Sequence, residues 1–254
     1  MKKQAQFSEF LRELQPVNLF IDFPLEIVPD DNQGFQSSDN SVFFDRLFLL
    51  LAPETLLELG TWKGSSAIGF VKRMLGYCDA PVVACVDTWV GSLEHWTNSA
   101  WREEMHLRWG FPTLYLRFVA NILRAGVAGC ITPLPMLTST ALRMMAQRGV
   151  LVDAIYVDAG HEYEAVKRDI SDCWALIDET GFVLADDYRV PDVGHAIQEF
   201  CGRDDVFGLY NEESGWPQAL LLKDPIIATR VINSIPGVLP IPGPPHDWRS
   251  NVRS

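Results

Sequence analysis

Acidic residues recur at the ends of short apolar runs, and this constrains the chain most. Four such runs, Thr55–Leu59, Val82–Val86, Val152–Val157 and Phe182–Ala185, lead into Gly60, Asp87, Asp158 and Asp186-Asp187 respectively. Helical segments separate them, at Ser65–Leu75, Ser139–Gln147 and Glu162–Ile177, the last with apolar side chains near 3.6-residue spacing. Buried apolar strands alternating with helices predict an α/β fold built on a parallel sheet. In such a sheet ligands bind at the carboxyl ends of the strands. Surface acids scattered without purpose would not return to that one edge.

The rest of the chain fits around this frame. Cys130–Leu134 reads as a further strand, Val193–Phe200 as a helix, and Val206–Tyr210 with Ala219–Leu222 as two last strands, seven in all. Gly181 reads as the stop of the preceding helix. Residues 1–41 read as an N-terminal extension with a short helix at Phe7–Leu14, an extended piece at Leu19–Ile27 and a polar turn after it. A helical pattern runs from Ser41 to the stop at Pro53, so the main domain is placed at 42–223. Residues 224–254 read as a Pro-rich tail.

The net charge of −12 opposes a phosphate backbone, so nucleic acid is not an expected partner. No run approaches the roughly 20 apolar residues of a membrane span, and the N-terminus lacks a signal-peptide core. The expected setting is cytoplasmic and the expected state soluble, with a homo-oligomer possible. Five widely spaced cysteines without C-x-x-C are expected to be reduced core thiols rather than a zinc or redox site.

The first strand runs into Glu58-Leu-Gly60-Thr61-Trp-Lys-Gly64-Ser65-Ser66. A glycine turn there places backbone N–H groups at a helix start and clears side chains from a ligand's path. Glycines at a strand–helix turn also occur for structural reasons alone. Asp87, at the end of the next strand, can accept hydrogen bonds from a ribose diol. A dinucleotide-type G-x-G-x-x-G would need a glycine where Trp62 stands.

Leu56-Leu-Glu-Leu-Gly-Thr-Trp-Lys-Gly-Ser-Ser66 resembles motif I of class I S-adenosylmethionine (SAM)-dependent methyltransferases. Tyr156-Val-Asp158-Ala-Gly-His161-Glu-Tyr163, followed by Gly181-Phe-Val-Leu-Ala-Asp186-Asp187-Tyr188, resembles the macrocin-type sugar O-methyltransferases, with catechol O-methyltransferases more distant. The resemblance implies a Rossmann-like, doubly wound, mostly parallel sheet and SAM as cofactor. It implies that Glu58, Gly60, Thr61, Gly64, Ser65 and Ser66 surround the methionine part and that Asp87 holds the ribose. Thr88 or Trp89 would flank the adenine, and Ser139 would reach its edge or cap its helix.

The acids at Asp158, Asp186 and Asp187 are a candidate site for Mg²⁺, because hard cations take carboxylate oxygens and crowded carboxylates need a counter-charge. Such an ion can lower the pKa of an acceptor hydroxyl. Macrocin-like sequences carry a second acid where this chain has Gly160. That moves the base assignment to His161, beside Asp158 in the catalytic pair; His161 packed near a helix start is the alternative. The long segment 89–127, rich in tryptophan and including His95 and His106, is either a lid or an aromatic helix pair. Trp216 is either pocket wall or core. The expected activity is O-methylation of a small hydroxylated metabolite or sugar. A nicotinamide-dependent oxidoreductase and a non-catalytic SAM-binding module are the alternatives.

Overall fold

A computed structural model describes residues 2–29, 41–212 and 216–242. The polar turn expected at 30–38, most of the loop 211–215 and the last part of the tail lie outside them. An eight-stranded sheet runs through the molecule in the order β3-β2-β1-β4-β5-β7-β6-β8. Its strands are β1 (Thr55–Leu59), β2 (Val82–Asp87), β3 (Ile131–Pro135), β4 (Val152–Val157), β5 (Ile177–Ala185), β6 (Phe207–Asn211), β7 (Ala219–Leu222) and β8 (Val238–Pro240). The pairs from β3 to β5 are parallel; β5 with β7, β7 with β6 and β6 with β8 are antiparallel.

Both faces of the sheet are covered, which explains why β1 and β7 are buried along their whole length rather than alternating. One face packs Leu57, Leu59, Val86, Ile155 and Val183 against α1 (Lys2–Leu14), α7 (Thr138–Arg148), α8 (Tyr163–Trp174) and α9 (Pro191–Phe200). The other packs Leu56, Val83, Cys85, Tyr156 and Phe182 against α2 (Ser41–Leu51), α3 (Ser65–Met74), α6 (Leu114–Arg124) and α10 (Pro225–Ser234). The N-terminal helix belongs to this layering. Its Phe7, Phe10 and Leu11 are buried, and Lys3 Nζ lies 2.6 Å from Asp153 and 3.0 Å from Asp178.

Three expectations need correction. The sheet has an eighth strand, and residues 225–240 form α10 and β8 instead of a tail. Asp224 caps α10 by accepting from the Ile226 N–H, and Pro225 starts it where a missing N–H costs nothing. Gly181 does not stop a helix: α8 ends at Trp174, and Gly181 lies inside β5, where a Cβ would come within 2.8 Å of the Ile177 Cβ. Leu19–Ile27 is not an extended piece but a turn and a short 3-10 segment at Leu25–Ile27. All five cysteines are free thiols, three of them buried.

Chain order reverses between β1 and β4, which are adjacent in the sheet with their connections leaving in opposite directions. That is the switch point at which open α/β sheets form a ligand crevice. Backbone hydrogen bonds continue past the strand ends there: Gly60 N to Val86 O at 2.8 Å, Asp158 N to Leu59 O at 2.8 Å, and Asp186 N to Val157 O at 3.0 Å. The ladder therefore holds the glycine turn and the acids in fixed register.

Candidate active site at the strand ends

The glycine turn is held from within. Glu58 is fully buried at the end of β1, where its carboxylate accepts from Thr61 Oγ1 (2.6 Å), from the Ser66 hydroxyl and from Cys85 Sγ (3.4 Å). Burial raises its pKa to about 7 against the opposing pull of those hydroxyls. Asp87 accepts from the Thr61 and Trp62 N–H groups through one oxygen, each at 3.0 Å, and from the Trp89 N–H through the other at 2.7 Å. An ionised carboxylate offers about four acceptor positions. Three are used on the turn, so a ribose would find about one.

Gly60 is required by the fold itself. Its φ is +79°, and a Cβ there would lie 2.0 Å from the Asp158 carbonyl oxygen, so β1 and β4 meet at this residue. Gly64, at φ +89°, would bring a Cβ to 3.0 Å from the Phe118 ring. Gly64 also starts α3 without a side-chain cap, leaving the helix N-terminus as a site for negative charge. The Ser65 hydroxyl beside it is buried and has no hydrogen-bond partner among the described residues. Trp62, Trp89 and Asp187, all non-glycine, sit at φ of about +50° at this same edge. Left-handed backbone of this kind gathers at functional sites, where surrounding structure holds it.

The expected adenine neighbours are placed differently from one another. Thr88 is half-buried and Ser139 half-buried in the first turn of α7. Trp89 is a core residue, 2% exposed, meeting Tyr115 edge-on and Phe118 at a tilt, with its indole N–H donating to the Trp62 carbonyl at 2.8 Å.

The acids form the second half of the site, and they divide. Asp186 accepts from Tyr156 Oη and Gln218 Nε2, one oxygen each and both at 2.7 Å, which takes it away from the cluster. Asp158 and Asp187 instead come together around His161, with one ligand atom of each of the three lying within 4.8 Å of the others. His161 Nε2 is 3.0 Å from Asp187 Oδ2 and 3.9 Å from Asp158 Oδ1, yet it is buried and makes no well-directed hydrogen bond. Asp158 and Asp187 raise the His161 pKa to about 11. Those two charges favour the protonated ring when only protein surrounds it, a form without a lone pair for a substrate proton. Burial first, and then the charge of Asp186, push the Asp158 carboxyl well above the usual carboxylate range.

The segment after β2 covers both halves. It forms α4 (Leu93–Thr97), α5 (Ser99–Glu104), a tight turn at Arg108–Phe111 and α6. His95 stacks on Trp62 at 4.4 Å between ring centres, and Trp101 meets the same indole edge-on at 6.1 Å. Fully buried Lys63 places Nζ 2.6 Å from Glu104. On the other side Glu94 Oε2 is 3.4 Å from His161 Nδ1. Met105, Leu114 and Phe118 enter the core, while Trp109 stands 91% exposed under the Arg108 guanidinium. The segment thus packs into the core as a helix set and brings Glu94, His95 and Trp101 to the strand ends. Glu94 and Lys63 are the site residues that the sequence did not single out: Glu94 lies outside any strand-end pattern, and Lys63, inside the glycine turn, pairs with Glu104 from a distant segment. His106 lies 4.0 Å from Glu104, and Trp216 is 55% exposed.

Comparison with known proteins agrees with this geometry. A family model described as a methyltransferase domain matches residues 57–188, from the glycine turn to just past the last acids. Among solved structures, an O-methyltransferase from Bacillus cereus in complex with S-adenosylhomocysteine superposes with a TM-score of 0.52 at 15% identity, covering 84% of this chain and 89% of the other. TomG, an O-methyltransferase of tomaymycin synthesis from Streptomyces achromogenes bound to SAM, gives 0.52 at 16%, covering 86% and 89%. The calicheamicin methyltransferase CalS11 gives 0.53 at 16%, covering 88% and 92%. At these identities the likeness establishes the fold. No curated protein sequence matches the chain. No helix among the described residues is long and apolar enough to cross a membrane.

Proposed function

The chain belongs to the methyltransferase-domain family matched over residues 57–188, and from that premise we propose that it O-methylates a small hydroxylated metabolite, a sugar among the candidates, using SAM and a divalent cation. The observation that carries this reading is the meeting of Gly60 with the Asp158 backbone at the switch point. It sets a site for a nucleoside-bearing ligand directly beside the Asp158–His161–Asp187 cluster. A dinucleotide reading fits less well, because Trp62 fills the position where a pyrophosphate would need a glycine.

The parts of the site support distinct tasks. The uncapped start of α3 and the unpartnered Ser65 hydroxyl suit the carboxylate end of the methionine moiety. Asp87, with about one acceptor position left, suits a single ribose hydroxyl. His95 and Trp101 of the segment after β2 pack on Trp62 of the turn and exclude water there, and excluded water strengthens every charge interaction inside. SAM supplies an activated methyl group, so catalysis reduces to aligning the acceptor oxygen and removing its proton.

The donor set of Asp158, Asp187 and His161, whose buried Nε2 makes no directed hydrogen bond, fits a dication. Bound there, the ion would lower the acceptor hydroxyl's pKa and fix its position. A carboxylate that holds the ion through one oxygen keeps a second, and in this reading that oxygen of Asp158 accepts the hydroxyl proton. The base role expected for His161 passes to it because His161 is held as a cation or as a ligand, and neither form accepts a proton. Asp186, bonded to Tyr156 and Gln218, positions β5 and leaves the ion to the other three.

The test is methyl transfer from SAM to a panel of hydroxylated sugars and phenols, read by product mass with and without EDTA. A methyl ether formed only without EDTA is expected. Formation unaffected by EDTA would remove the ion from the reading, and the absence of a methyl ether from every member of the panel would remove the oxygen acceptor.

A further inference from the structure

His161 sits among three carboxylates that arrive from three separate parts of the chain. Asp158 follows β4, Asp187 follows β5, and Glu94 comes from α4 in the lid. The two ring nitrogens face different partners. Nδ1 looks to Glu94 at 3.4 Å. Nε2 looks to Asp187 and Asp158 and, although buried, has no hydrogen-bond partner. A nitrogen held in ion-pair range of two carboxylate oxygens, with no well-directed hydrogen bond to either, has the disposition of a ligand atom that shares a centre with them.

We propose that His161 is itself a ligand of the dication through Nε2, that Glu94 orients the ring through Nδ1, and that the centre therefore selects a transition-metal dication such as Mn²⁺ over Mg²⁺. The inference rests on the divalent-cation part of the reading above. Mg²⁺ favours an all-oxygen shell, whereas imidazole suits the borderline transition metals. Asp186 is turned toward Tyr156 and Gln218 and is not in the group of ligand atoms that lie within 4.8 Å of one another. A metal-bound histidine commonly donates its other N–H to a carboxylate, which fixes the tautomer and aims the lone pair at the ion. Glu94 fills that position. Because Glu94 belongs to α4, whose neighbour His95 lies on Trp62, ion binding is tied to the placement of the lid over the glycine turn.

Pulsed electron paramagnetic resonance on the full chain with Mn²⁺ and S-adenosylhomocysteine tests this without measuring turnover. The expected result is nitrogen modulation from one directly bound imidazole, with calorimetry showing Mn²⁺ binding at least about 10-fold tighter than Mg²⁺. In Glu94→Gln the nitrogen signal should persist while Mn²⁺ affinity falls about 10-fold or more, the usual cost of losing an orienting carboxylate. In His161→Gln the nitrogen signal should vanish, with thermal melting confirming that the variant is folded. Mn²⁺ bound without nitrogen coupling in the unmodified protein would overturn the inference and leave the divalent-cation reading standing. Absence of binding by either ion would overturn both.

Discussion

The two halves of this site are built on opposite principles. Around the glycine turn every charge has its partner: Glu58 accepts from Thr61 and Ser66, and Asp87 ties down three backbone N–H groups. Around Asp158 and Asp187 the carboxylates crowd one another, and the ring between them leaves a buried nitrogen without a directed bond. The charges of the first half are met by protein, although the Ser65 hydroxyl has no partner among the described residues. The second is satisfied only in part, and like charges brought together in this way raise a free energy that a ligand can relieve. Substitutions should therefore act in opposite directions on the two halves, with the turn carrying stability and the acids carrying chemistry.

The largest effect on stability is expected at Gly60. Gly60→Ala would place a methyl group 2.0 Å from the Asp158 carbonyl oxygen at a residue with φ +79°. Backbone faces it, so the overlap cannot be relieved by a rotamer change. A loss of about 4 kcal/mol or more is expected in chemical denaturation, a size reserved for clashes and special backbone positions. A variant as stable as the parent would show that the strand ends are less closely joined than the structure has them.

Asp158→Asn should do the reverse. Turnover should fall about 1,000-fold, within the range for removing an acid–base group, while S-adenosylhomocysteine affinity changes only a few-fold. The same substitution removes a crowded charge whose carboxyl is already pushed upward by burial and Asp186. The ion-free protein should therefore gain about 1 kcal/mol at neutral pH, as is common where function and stability compete. A loss of stability with full turnover would break the comparison between the halves.

A smaller, pH-dependent effect belongs to Glu58. Its folded pKa of about 7 lies above the ordinary value of 4.5, so between those two values the folded chain keeps a proton that the unfolded chain has released. Stability from this group is present below about pH 4.5 and declines as pH rises toward 7, by up to about 3 kcal/mol. In Glu58→Gln that part of the slope should disappear from a series of denaturation curves across this range. An unchanged slope would mean that Glu58 stays ionised in its hydroxyl cage.

What was legible in the sequence depended on local pattern. β1, β4 and β7 have their expected bounds because fully buried strands read as apolar runs with clear edges. The acids at strand ends were visible for the same reason. Gly181 was misread because a glycine that ends a helix and one that clears space for Ile177 inside a strand look alike in one dimension. Helix α10 carried its signals, Asp224 then Pro225, but the prolines that follow obscured them. Glu94 and the diversion of Asp186 to Tyr156 and Gln218 had no local trace at all. Both are contacts between distant segments, set by how the lid and β7 pack onto the strand ends.

The account stands most directly on what the turn binds. Calorimetric titration of the protein with S-adenosylhomocysteine, alongside NADH, decides it. The expected result is saturable one-to-one binding of S-adenosylhomocysteine that weakens when Ser65 or Asp87 is replaced, and none of NADH. Binding of NADH with no response to S-adenosylhomocysteine would contradict it.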